Sequence, residues 1–152
     1  MPIEKTLILI KPDGMERRLT GLAIDRLERS EFELIGAKVV SVTDELARTH
    51  YALLKNEPYF ENAVKFIHGD YHHVSNRRVL AMVYKGEDAI KGVRTLVGAT
   101  NPEQAAPGTI RNAFGRINSK VGCFENVVHA SGNAAEAERE IKIWFKPGEL
   151  VE

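Results

Sequence analysis

Three observations predict an α+β fold of the split βαβ, ferredoxin-like kind for this sequence. Short apolar runs of strand character alternate with stretches of helical spacing. Their order is strand, helix, strand, helices, strand, helix, long loop, strand, helix, which is that of the split βαβ pattern. The length, 152 residues, suffices for the core of one domain spanning 1–152 and not for two. Order alone leaves the function open, because this fold hosts many unrelated activities.

The first strand is 6–10, TLILI, a continuous apolar run of the kind buried on both faces, and it ends at the turn residues Lys11-Pro12-Asp13-Gly14. Over 19–30, Leu19, Leu22, Ala23 and Leu27 recur at helical spacing while Arg26, Glu28 and Arg29 take the other face. A second strand over 36–42 carries Ala37, Val39, Val40 and Val42. Asp44 then reads as the N-cap of a helix over 45–55, which Pro58 separates from a shorter helix over 60–67, the two forming a helical hairpin. The polar stretch 69–78, GDYHHVSNRR, precedes a third strand over 79–84 and a helix over 87–96. The segment 98–125, with Pro102, Pro107, Gly108, Gly115 and Gly122, reads as irregular. Irregular segments longer than about 15 residues in compact domains are functional or disordered. Val127 and Val128 make the last strand, which hands His129 to a loop. Asn133 caps a helix from Ala134, with Glu136 set for a capping box and Ala137, Ile141 and Trp144 on the core face.

Acidic and basic residues balance at 21 each, so no general basic field favours nucleic acid or an anionic membrane, and any phosphate site must be local. The single cysteine, Cys123, excludes an internal disulfide and fits a reducing compartment. No signal peptide opens the chain, and no stretch nears the roughly 18 apolar residues of a membrane span. A soluble, cytoplasmic protein with no membrane and no stable nucleic-acid partner is expected.

His129 is the first candidate for chemistry, because an imidazole is largely uncharged near neutral pH and can offer a lone pair to an electrophile. It needs a fixed tautomer, for which Glu140, folded back from the last helix, and Ser131 are candidates; read from composition alone, His129 is rather a satisfied loop histidine and Glu140 a solvated helix residue. Arg94, Thr100 and Arg111 form a second group, since guanidinium forks match the equatorial oxygens of a phosphoryl group in flight and turn-rich loops let such groups converge. Lys11 follows a buried strand, where a ligand-facing cation and a simple exit into water are both open readings. Tyr51, aligned with Ala47 and Leu54, packs in the core with its hydroxyl at the rim, whereas Tyr59 and Phe60 are either core or a stacking platform. His72-His73 beside Asp70 lacks the spacing of zinc motifs, Cys123 reads as structural, and neither G-x-x-x-x-G-K-[ST] nor G-x-G-x-x-G occurs.

Taken together, these blocks resemble the nucleoside diphosphate kinases along the whole chain. The resemblance rests on TLILIKPDG at 6–14, HYALLKNEPYF at 50–60, GATNPEQAAPGTIR at 98–111, NVVHAS at 126–131 and EREIKIWFKPGEL at 138–150. It implies a ferredoxin-like αβ sandwich with a four-stranded antiparallel sheet covered by helices. It also implies ping-pong transfer of a γ-phosphate from nucleoside triphosphates to diphosphates through a phosphohistidine at His129. By the same resemblance Lys11 meets the ribose and the transferring phosphate, Tyr51 the region beside the histidine, and Arg94 and Thr100 the inner phosphates. Arg111 meets the γ-phosphate, Asn126 the ribose 3′-hydroxyl, and Glu140 and Ser131 orient the ring. Tyr59 takes the base-stacking position, and stacking on a π-face implies broad base specificity. Mg2+ arrives bridging the phosphates, with no carboxylate cage for it in the protein.

The sequence departs from the family in three places. The usual N-x-x-H-G-S-D is here Asn126-Val127-Val128-His129-Ala130-Ser131-Gly132, so Asn133 is left to cap the helix, and altered tuning with retained transfer is expected. Polar insertions stand at 69–78 and 115–125, the second beside the base-binding edge. The chain stops soon after 144–150, so where the family forms hexamers or tetramers of dimers, a homo-oligomer of at least a dimer is expected. Two rivals remain at this point: a catalytically weak nucleotide-binding or regulatory protein, suggested by Gly132, and a nucleic-acid-binding module of the same fold.

Overall fold

A computed structural model of the chain describes residues 1–120 and 122–152; the expectation of irregular chain at Val121 falls outside them. Strand β1 (Ile3–Ile10) leads into a short helix α1 (Pro12–Glu16), then α2 (Thr20–Glu28), β2 (Glu33–Ser41), α3 (Asp44–His50) and α4 (Phe60–His68). Strand β3 (Arg78–Glu87), α5 (Ala89–Val97) and α6 (Ile110–Phe114) follow. A hairpin of β4 (Arg116–Asn118) and β5 (Cys123–Glu125) then precedes β6 (Val128–Ala130) and α7 (Ala134–Trp144). The main sheet has four antiparallel strands in the order β2-β3-β1-β6, the ferredoxin-like arrangement, with β4 and β5 paired apart from it.

The continuous apolar run of β1 has its explanation in the two layers of helix. Side chains alternate along a strand, so Ile8 and Ile10 enter one core with Ala23 and Leu27 of α2 and Val93 and Val97 of α5. Leu7 and Leu9 enter the other, with Ala47 of α3, Val64 and Ile67 of α4 and Trp144 of α7. All four are fully buried, and removing each from water contributes about 1.5–3 kcal/mol. Among the described residues, no helix is long and apolar enough to cross a membrane.

Several expected boundaries move, each for a local reason. The turn at Lys11-Gly14 is helical, with Lys11 as N-cap and Pro12 in the first turn, where proline's missing N–H costs nothing. Thr43, not Asp44, caps α3, its hydroxyl accepting from Leu46 N–H at 3.0 Å. That helix also ends at His50 rather than at 55, because Arg139 of α7 donates to the carbonyls of Thr49 and His50, the groups that would otherwise seek the next turn. The segment 98–125 is more regular than expected: Thr109 caps α6 and the second insertion folds into the β4–β5 hairpin. The first insertion packs on that hairpin, with His72 Nε2 3.4 Å from the buried carboxylate of Glu125. At α7, Asn133 accepts from Glu136 N–H as expected, but the capping box closes one residue early, Glu136 accepting from Gly132 N–H at 3.1 Å. A Cβ at position 132 would lie 2.5 Å from that carboxylate oxygen, so here Glu136 fills the space beside the backbone that a longer residue 132 would need.

Candidate active site

His129 lies within β6, opposite Leu9, rather than in the loop beyond it. Its neighbours Val128 and Ala130 face the core on the α2 and α5 side, so alternation turns the imidazole to the other face, where α3 ends and α7 passes. Glu140 of α7 meets it there: His129 Nε2 and Glu140 Oε1 are 2.9 Å apart, and Ser131 Oγ–H donates to the same oxygen at 2.7 Å. The Ser131 hydroxyl also accepts from Leu7 N–H at 3.1 Å, which ties the pair to β1. Burial alone would raise the Glu140 carboxyl, but the bonds from His129 and Ser131 and the nearby charges outweigh it and hold it below the usual carboxylate range. An ionised carboxylate only accepts, so His129 Nε2 carries the proton and Nδ1 keeps the lone pair. The arrangement is that of a nucleophile with an assigned nitrogen, and the His129 side chain is 17% open to solvent.

Val127, placed by the sequence in the strand, instead forms a γ-turn with φ 72°, its neighbours closed by a 2.8 Å bond from Val128 N–H to Asn126 O. A β-branched residue in the left-handed region is strained, and the surroundings hold it there. Asp13, fully buried, accepts from Val127 N–H at 2.9 Å, and Lys11 N–H donates to Val127 O at 2.9 Å. Gly14 permits this approach, since a Cβ there would meet Ile10 and Val127 at 3.0 and 3.1 Å. Asn126 is thereby turned inward, its amide donating to Thr100 O at 2.9 Å.

Cations converge on the same region. The Arg111 guanidinium, buried, donates to Val128 O at 2.8 Å and to Gly98 O at 3.0 Å, while its Nε–H is without a partner among the described residues. Burial first, then the charge of Arg94, lowers its pKa to about 10. Lys11 is also buried, with Nζ 4.7 Å from the centre of the Phe66 ring, and burial lowers it to about 8 although Asp13 pulls the other way. Buried cations normally sit against carboxylates. Among the described residues, neither of these two forms an ion pair, so the locality carries unspent positive charge.

Lys11, Tyr51, Tyr59, Thr100 and Asn126 line one cleft of about 430 Å³, together with Cys123 and Phe124 of the hairpin. The Tyr51 hydroxyl is held neutral by burial and by the Glu140 carboxylate nearby. Tyr51 itself caps α3 rather than continuing it. Tyr59 is half exposed, in keeping with the stacking reading, while its neighbour Phe60 packs against the core. Arg94 is the outlier: it is exposed on α5 and lines a neighbouring cleft with Lys91 and Asn133, joined to the site through its charge on Arg111. A larger apolar groove lined by Ile3, Ile141 and Phe145 holds none of these residues. Three participants escaped the sequence reading. Asp13 and His50 lay inside quoted motifs with nothing to mark them out, and Phe124 stands in the 115–125 stretch that reads as a polar insertion.

Comparison with known proteins agrees in sequence and in fold. The family model described as Nucleoside diphosphate kinase matches residues 4–150. A nucleoside diphosphate kinase of Archaeoglobus fulgidus is 45% identical over 149 residues, 98% of this chain and 91% of that protein. One from Halalkalibacterium halodurans is 45% identical over 99% of this chain and 94% of its own length. Among solved structures, a transition state mimic of the Borrelia burgdorferi enzyme with bound vanadate and ADP superposes with a TM-score of 0.87 at 38% identity, covering 99% of this chain and 91% of that one. The Halobacterium salinarum enzyme in complex with CDP superposes with a TM-score of 0.85 at 38% identity, over 99% and 93%. A match of this extent, on a fold and a constellation of this kind, means that the chain belongs to the nucleoside diphosphate kinase family.

Proposed function

We propose that this kinase passes the γ-phosphate of a nucleoside triphosphate to His129 Nδ1 and from there to a nucleoside diphosphate, in two half-reactions. The Nδ1 lone pair forms a bond to the γ-phosphorus as the bridging P–O bond breaks and a diphosphate leaves. The second half-reaction reverses this, an oxygen of the incoming diphosphate displacing the imidazole. The observation that carries the reading is the imidazole with Nε2–H tied to Glu140, beside two buried cations that form no ion pair among the described residues. Charge spreading over the phosphoryl oxygens in flight is what those cations are suited to stabilise.

On this reading Lys11 and Arg111 hold the transferring phosphate, Arg94 and Thr100 the inner phosphates, and Asn126 the ribose. Tyr51 walls the space beside the histidine, and Tyr59 stacks on the base with Phe124 lining the same cleft. The ADP and CDP complexes of relatives support a nucleotide in this cleft and tolerance of different bases. Among the described residues no carboxylate lines the cleft, so Mg2+ would be held by the nucleotide's own phosphates, where it would supply further charge neutralisation. A homodimer at least is favoured by β2, an edge strand with Leu34 and Val39 exposed. The cytosol suits the free thiol of Cys123.

Incubation with γ-labelled ATP tests the reading. An acid-labile, base-stable label that a nucleoside diphosphate then removes is expected, and it should be absent from His129→Ala, which should still bind nucleotide. A protein that binds nucleotide but never takes label would instead be the regulatory rival.

A further inference from the structure

His50, at the end of α3, is 3% exposed and does not itself line the nucleotide cleft, although its ring packs on Tyr51, which does; its ring centre lies 4.6 Å from that of His129 with the planes at 82°. On its other side Trp144 donates from Nε1–H to His50 Nδ1 at 3.0 Å. An indole N–H only donates, so Nδ1 must hold its lone pair, and in a neutral ring the proton must then sit on Nε2. Burial keeps the ring neutral, lowering its pKa well below 6.5, with the charges of His129, Arg139 and Lys11 acting the same way. The Nε2–H so defined has no acceptor among the described residues. A buried orphan donor costs roughly 1–3 kcal/mol and calls for an explanation.

A metal ion is the first alternative, because ligand atoms of His50, His129 and Glu140 lie within 4.8 Å of one another. The hydrogen bonds argue against it. Trp144 occupies the lone pair of His50 Nδ1 and leaves Nε2 protonated, so His50 cannot ligate, and His129 and Glu140 alone are fewer protein ligands than a metal site requires.

We propose instead that His50 is a positioning residue for the nucleophile: its Nε2–H edge rests on the face of the His129 ring and holds its tilt, and Trp144 locks the tautomer that presents that edge. An N–H edge on a π-face is the attractive perpendicular arrangement. Helix α7 then sets both rings, since Glu140 takes the nitrogen of His129 while Trp144 and Arg139 take the side chain and backbone carbonyl of His50. Glu140 alone fixes one atom of the imidazole and leaves rotation about that bond free. His50 removes this freedom, aiming Nδ1 at phosphorus before the nucleotide arrives.

The inference rests on transfer through His129, so wild-type labelling by γ-labelled ATP is the control whose failure would count against that function and not against His50 alone. Trp144→Phe keeps an aromatic filler but frees the tautomer, and His50→Phe keeps a ring but removes the donor. Both should slow single-turnover phosphorylation of His129 by roughly tenfold to a hundredfold. KM for the triphosphate should stay within about twofold, because neither residue lines the cleft. The double variant should be no slower than the slower single one, as expected for two groups acting along one path. With ¹⁵N-labelled histidine, His50 should show a bare Nδ1 and a protonated Nε2 in the wild type, and a mixture in Trp144→Phe. Wild-type rates in folded variants, additive losses, or a bare Nε2 in the wild type would each overturn the proposal.

Discussion

Replacing Glu140 by glutamine removes one charge and almost no volume. The carboxylate is 2.9 Å from His129 Nε2, and as Nδ1 bonds to phosphorus the ring acquires positive charge facing that oxygen. Hydrogen bonds to charged groups contribute about 1.5–3 kcal/mol and neutral ones about 0.5–1.5, so, low end against low end and high against high, the amide forfeits roughly 1–1.5 kcal/mol in the transition state. An upper bound comes from Coulomb's law, about 4 kcal/mol for unit charges 4 Å apart at an effective dielectric constant of 20. At about 1.4 kcal/mol per decade, phosphorylation of His129 should slow by roughly 5- to 1,000-fold. The assay is rapid-quench labelling with saturating γ-labelled ATP at neutral pH. KM should change little, since Glu140 lines none of the cleft. Stability carries the same signature. The Glu140 carboxyl lies below its ordinary value, so its contribution is present above that value and is lost as pH falls through the depressed one. The gap in melting temperature between wild type and Glu140→Gln should therefore narrow in acid. A glutamine variant labelled within about twofold of the wild-type rate would refute the electrostatic role given to Glu140.

Other perturbations test the surroundings. Lys11 has its pKa lowered to about 8, so kcat/KM for the triphosphate should fall above about pH 8, the limb vanishing from binding measured with Lys11→Arg. The folded state binds fewer protons than the unfolded one between about 8 and 10.5, so the Lys11 contribution to stability should rise with pH there, read from denaturant midpoints against Lys11→Met. Arg111→Ala should slow transfer by roughly 10²–10³ in single turnover, the loss expected for one donor aimed at developing charge. Asp13→Ala strands the Val127 N–H and releases the γ-turn, which should cost about 1–3 kcal/mol in urea unfolding. It should also weaken nucleotide binding through Asn126.

The centre of the sheet was legible because β1 and β3 are buried on both faces. TLILI has no polar alternation to mislead, and its end at Lys11-Pro12 is written in the turn residues. Helix ends were less legible, since what stops α3 is Arg139, ninety residues away in α7, and no local pattern encodes that partner. The same holds for β6. Val127 reads as strand by propensity, yet Asp13 and Lys11 pull it into a left-handed turn, a tertiary constraint that overrides local preference. Of the site, Glu140 and Ser131 stood as candidates for orienting His129, their roles implied by the resemblance and not by spacing alone, and the hydrogen bonds bring the three side chains together. His50 did not stand out, because a histidine closing a helix looks the same in sequence whether it faces water or, as here, a tryptophan and the nucleophile. At Gly132, where the resemblance leads to an expected aspartate, Glu136 reaches back to the backbone N–H, a partner four residues on that the local motif did not mark.

The nitrogen that carries phosphate is the most direct measurement of all. With ¹⁵N-labelled histidine and enzyme phosphorylated by ATP, the ³¹P–¹⁵N coupling should assign the phosphoryl group to Nδ1 of His129, leaving Nε2–H bonded to Glu140. Phosphate on Nε2, or on any other residue, would contradict the account.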